Sequence, residues 1–172
     1  MIITTIDQAS DVFALPRWAH VPGADVSADR DALDPVKASV PASFAGHVPA
    51  DHPALRYGLR LNDGGFFWEA HEILEAVWQA APKGGRDRVA LRGCIQVANA
   101  NLKVRMGRLA AARRLFADAG AEFAELGVRR SDGRDAGSFA AICPAAALVS
   151  ELRSAALTGT PDVVRLARAV HA

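Results

Sequence analysis

Residues 66–81 read FFWEAHEILEAVWQAA, and their spacing decides the fold class. On a helical wheel Phe66, Phe67, Ala70, Ile73, Leu74, Val77, Trp78 and Ala81 share one broad face, the repeat of an amphipathic helix packed against partners. His71 and Glu75 lie one turn apart at the edge of that face, Trp78 follows a turn later, and Glu72 points more outward. This stretch holds the residue types of chemistry.

Moving outward, Asn62, Asp63, Gly64 and Gly65 separate this helix from a shorter one over 54–61 that begins after Pro53. Their side chains are expected to supply a capping oxygen for the helix that follows. Pro82, Gly84 and Gly85 end the central helix. The next, 87–106, is apolar over most of its circumference, and Arg92, Gln96, Asn99 and Lys103 form one narrow polar stripe along it. Gly107 ends it, and 109–126 makes a third long helix with Ala112, Leu115, Phe116, Ala119 and Phe123 inward. A polar loop over 127–137 leads to a helix over 145–157, and Thr160, Pro161 and Asp162 read as the start of a terminal helix through Ala169. Nothing alternates as a strand. The fold expected is all-α, a single compact antiparallel bundle of about five or six helices over 54–172.

Residues 1–53 carry six of the nine prolines, which excludes long helices and points to an extended N-terminal arm. Phe13, Leu15, Trp18 and Val21 are its expected anchors, with a short helix or turn near 29–39.

With 172 residues, 51% hydrophobic and 23% charged, the chain is long and apolar enough for one packed domain. Twenty Lys+Arg against 19 Asp+Glu leave a formal charge of +1, which gives no electrostatic argument for a nucleic-acid partner. Cys94 and Cys143 lack a zinc or disulfide spacing and read as reduced core residues. No apolar run has membrane-spanning length and no export signal opens the sequence, so a cytoplasmic location is expected.

His71 and Glu75 admit three chemistries. As metal ligands they resemble half of a His-Glu-x-x-His zinc motif with Glu75 in place of the second histidine, leaving one imidazole and the carboxylates of Glu72 and Glu75. As an acid–base pair, a carboxylate orients an imidazole beside Trp68 and Trp78, but no nucleophile is partnered in sequence. As structure, the pair is a buried polar cluster answered by Gln96 or Asn99 from the neighbouring helix. Trp68, Trp78, Arg92, Gln96 and Asn99 complete the candidate ligand-binding or structural set.

Asn62, the Gly64–Gly65 turn, Phe67, Glu69, Ala70, His71, Glu72, Glu75 and Trp78, then Ile95, Gln96, Ala98, Ala100, Gly107 and 112–115, resemble the helical family known as domain of unknown function 309. The arm residues Leu15, Pro16, Val21, Pro22 and Gly23 are similar to an N-terminal extension in some of its members. The resemblance implies antiparallel helices with the His-Glu-x-x-Glu helix central, no established activity, and His71, Glu72, Glu75 and Gln96 as the marked polar positions.

The function expected is a non-enzymatic interaction or small-ligand-binding module, with His71, Glu75 and Gln96 as a buried structural cluster and no cofactor. The alternative is a small metal-dependent or His/Glu acid–base hydrolase using His71, Glu72, Glu75 and Gln96, in which a divalent metal would be the cofactor. Self-association through the arm or an apolar helix face is expected in either case.

Overall fold

The structure, a computed structural model, describes residues 12–131, 133 and 135–166. Among these residues lie seven helices: α1 (Arg30–Ala38), α2 (Pro53–Asp63), α3 (Phe67–Ala80), α4 (Arg86–Arg105), α5 (Leu109–Val128), α6 (Phe139–Ile142) and α7 (Ala145–Leu157). The described residues contain no strand, only one isolated antiparallel bridge between Pro49 and Ser138. The all-α class follows as the periodicity implied.

Local chemistry explains the helix ends. Pro53 opens α2 at a position where its missing N–H has no intrahelical partner to lose. In α4, Asp87 in the first turn and Lys103 and Arg105 in the last complement the helix dipole. Ser138 caps α6 by accepting from the Ala141 N–H at 3.1 Å.

Consecutive helices pack side by side in the order α2, α3, α4, α5, α7, with α1 against α3 and α2 and α6 against α4. Turns of a few residues join α2 to α3, α3 to α4 and α4 to α5, and such short connections make neighbours antiparallel. Tyr57, Phe116, Phe123 and Phe139 are the largest side chains sealed in the core. Two close approaches tighten it. A Cβ on Gly58 of α2 would stand 2.8 Å from Leu74 of α3, and one on Gly93 of α4 would stand 2.7 Å from the ring of Phe123 on α5.

Three expectations are corrected. The segment 158–166 is not helical. Asn101 on α4 donates to the carbonyl of Val164 at 2.8 Å and accepts its N–H at 2.8 Å, while Asp63 accepts the N–H of Leu166 at 2.6 Å. Side chains therefore take the backbone groups a helix would use, and Val164 and Leu166 enter the core at alternating positions. Residues 167–169 of the expected terminal helix lie outside the described residues.

The second correction concerns the turn before α3. Phe66 occupies the N-cap position and no side chain caps the helix. Asn62 instead accepts from Asn101 at 2.8 Å and donates to the Val164 carbonyl at 3.1 Å, so it binds the C-terminal segment.

The third concerns the arm before α1, residues 12–28, which is held more by hydrogen bonds than by its expected anchors, whereas Leu33, Val36, Phe44 and Val48 further along enter the core. Leu15 and Trp18 are exposed, and the Trp18 indole N–H donates at 2.8 Å to Ser27 within the arm itself. Phe13 does meet the Tyr57 ring edge-on, at 5.7 Å between centroids. The main attachments are the Tyr57 hydroxyl donating to Ala14 O at 2.7 Å, Arg60 donating to Phe13 O at 2.7 Å, and Glu69 accepting the His20 N–H at 2.6 Å. Burial pushes the Tyr57 phenol up to about 12, so it stays a donor throughout the neutral range. Arg17, donating from its guanidinium and its backbone N–H, holds the Asp29 carboxyl down to about 2 and closes the arm onto the start of α1.

Candidate functional site

Helix α3 carries the candidate residues because its inner face, Ala70, Ile73, Leu74 and Val77, is sealed against α2 and α4. That packing fixes the rotation of the helix and turns His71, Glu72 and Glu75 to its margin, where all three are half-buried. One ligating atom from each can be chosen so that the three lie within 4.8 Å of one another. His71 Nε2 stands 3.4 Å from Glu75 Oε2, with the two side chains 26% and 43% exposed. Neither is sealed from water. The other ring nitrogen, Nδ1, is buried and has no hydrogen-bond partner among the described residues.

Glu72 is held by Lys37 of α1, whose ammonium lies 2.6 Å from Glu72 Oε2. A resident cation therefore already neutralises one member of the triad.

The facing helix contributes less than the sequence suggested. Gln96 and Asn99 are half-buried and their side chains make no hydrogen bond among the described residues, so neither answers His71 or Glu75. Arg92 turns the other way, to Glu122 of α5 at 2.7 Å. The guanidinium of Arg88 covers the Trp78 ring at 4.0 Å, while the Trp78 indole N–H is buried without an acceptor among the described residues. Trp68 meets the His20 ring edge-on at 4.8 Å. The structure thus brings His71, Glu72 and Glu75 together and disperses Trp68, Trp78, Arg92, Gln96 and Asn99 to other partners or to none.

Two carboxylates outside the candidate set, Glu69 and Asp87, lie deeper than the cluster. Glu69 is fully buried; one oxygen accepts the His20 N–H and the other, Oε2, has no partner among the described residues. Burial pushes its carboxyl above the ordinary range, opposed by the His20 N–H. Its signal was positional: Glu69 stands four residues before Ile73, on the packed side of the helix. Asp87, also buried, accepts the N–H groups of Val48 at 2.7 Å and Ala140 at 2.8 Å, and burial likewise raises its carboxyl. Both thiols are pushed up by burial, Cys143 to about 12, so neither is a thiolate nucleophile.

Glu69 gives a pH dependence with a definite sign. A carboxyl whose folded value is raised contributes stability that is full below its unfolded value, near 4.5, and is lost as pH rises through the folded one. Lowering the pH from 7 toward 4.5 is therefore expected to stabilise the wild type relative to Glu69→Gln. Urea unfolding of both across that window checks it, and a constant difference would refute the assignment.

Fold and margin together define the class: an all-helical protein with an imidazole–dicarboxylate cluster on its central helix. Residues 55–115 match the model of the family described as domain of unknown function (DUF309). The match runs from α2 into the first turns of α5 and includes His71, Glu72, Glu75 and Gln96, while Lys37, His20 and Val164 lie outside it. No curated protein and no solved structure matches the chain. No described helix is long and apolar enough to cross a membrane.

Proposed function

We propose that the chain is a helical binding module whose α3 margin takes a divalent first-row cation on His71, Glu72 and Glu75. The observation that carries this reading is the convergence of one nitrogen and two carboxylate oxygens within 4.8 Å on a surface that solvent reaches. Ligands about 2.1 Å from an ion stand roughly 3 to 3.4 Å apart, which small rotations of two glutamate side chains supply. One imidazole with two carboxylates suits zinc, manganese or iron(II), and three protein ligands leave positions open for water or a further ligand.

Lys37 sets the test, because it competes with the ion for Glu72. In calorimetric titration with Zn²⁺ and Mn²⁺, His71→Ala and Glu75→Gln should each weaken binding at least about tenfold, or 1.4 kcal/mol, and Lys37→Ala should tighten it. Equal affinity of the wild type and His71→Ala for both ions refutes the reading.

A second reading, a metal-dependent or acid–base hydrolase, draws on the 3.4 Å approach of His71 to Glu75, a carboxylate set to orient an imidazole. Gln96 would have to turn toward them to take part. For self-association, an apolar groove of about 450 Å³ between α5 and α7, beside exposed Leu157, offers a surface.

A further inference from the structure

At the other end of α3, the turn into α4 shapes a cavity of about 550 Å³ rich in charged side chains. Four cationic side chains line it, Lys83, Arg86, Arg129 and Arg130, against two carboxylates, Asp87 and Asp135. In a chain whose net charge is only +1, this is a local concentration of one sign.

The carboxylates are already engaged. Asp135 is bonded by Arg86, and Asp87 takes the N–H groups of Val48 and Ala140. Arg129 is shared between Glu125, at 2.8 Å from its Nε, and the carbonyl of Gly84 at 3.0 Å, which ties the end of α5 to the turn. Lys83 and Arg130 make no ion pair or hydrogen bond through their side chains among the described residues. Two exposed cations with no partner among the described residues face one cavity and raise its potential. An anion is what relieves that.

The backbone of the turn favours the same ligand. Gly84 adopts φ +75°, a Cβ there would meet nothing within 4 Å, and Gly85 caps α4 without a side-chain oxygen in front of its first N–H groups. The wall is therefore open to a close approach at the start of a 20-residue helix, whose dipole Asp87 in the first turn already meets in part. The only lining side chain with a sizeable apolar body and no polar group is that of Pro82, so recognition there falls to the charged groups and the glycine backbone.

We infer that this cavity is a binding site for a small phosphorylated anion, with Lys83 and Arg130 as its principal ligands and Arg86 and Arg129 as the fixed wall. It stands apart from the cation reading of α3 and shares no residue with it. The space suits either the free ion or the phosphate end of a small organic ester.

Amide resonances of the full chain, followed during titration with inorganic phosphate, with glucose 6-phosphate, and with sodium chloride at matched ionic strength, test it. Saturable shifts centred on Gly84, Gly85 and Arg86 are expected with both phosphates. Tighter binding of the ester identifies an organic phosphate as the ligand, and equal binding identifies the free ion. The double variant Lys83→Gln/Arg130→Gln should bind at least about tenfold more weakly with an unchanged melting temperature, because neither side chain holds a folding contact. Shifts that fail to saturate, that chloride reproduces, or that persist undiminished in the double variant overturn the assignment.

Discussion

Replacing Asn101 with alanine is expected to lower the free energy of unfolding by about 2 to 6 kcal/mol, from two buried groups orphaned at about 1 to 3 kcal/mol each, with a small cavity adding to it. The Asn101 amide donates to Asn62 Oδ1 and to the Val164 carbonyl and accepts the Val164 N–H, all at 2.8 Å and all away from water. Alanine leaves the Val164 N–H and Asn62 Oδ1 unpaired, while the Val164 carbonyl keeps its bond from Asn62 at 3.1 Å. The change is read by urea denaturation together with amide exchange at Val164 and Leu166, which should lose protection first because their segment is held by side chains. A loss below about 1 kcal/mol would show that the C-terminal segment is not fastened in this way.

Gly93→Ala is expected to destabilise by about 1 to 3 kcal/mol, although an exposed helical glycine replaced by alanine would gain roughly 1 kcal/mol. The sign is reversed by contact. The new methyl would stand 2.7, 2.8 and 3.1 Å from three atoms of the Phe123 ring, and that ring is fully buried with no room to retreat. Gly120→Ala on the facing helix is the control, since its Cβ would meet only Leu152 at 3.7 Å, an ordinary distance. It should stabilise by about 0.5 to 1 kcal/mol, and opposite signs for the two melting-temperature shifts distinguish close packing from helix propensity.

These two glycines also show where the sequence was legible. The helical class and the ranges of α3, α4, α5 and α7 follow from periodicity and from Pro and Gly punctuation, because local chemistry sets both. That Gly93 marks a helix crossing and Gly120 does not depends on which aromatic ring lies opposite, a tertiary fact with no local trace. The same limit explains the terminal segment. Thr160, Pro161 and Asp162 have good helix-start chemistry, yet Asn101 and Asp63, 63 and 103 residues from their acceptor or donor partners, take the backbone first. At the candidate site, the His71–Glu75 pair was readable from its i, i+4 spacing. The Lys37 ion pair on Glu72 was not, since it spans 35 residues and depends on where α1 docks. Nor was the basic cavity, whose cations come from the end of α3, the start of α4 and the end of α5.

The Asp87 carboxylate joins amides 39 residues before it and 53 residues after it, from two segments that also pair with each other at the Pro49–Ser138 bridge. Both bonds require α4 to be in place already, and long closures come late in assembly because their entropy is lost before any contact is made. The group is accordingly expected to form after the rate-limiting barrier, so Asp87→Asn should speed unfolding and leave the folding rate nearly unchanged in stopped-flow kinetics. That result would make Asp87 a determinant of the lifetime of the folded state rather than of the speed at which it is reached.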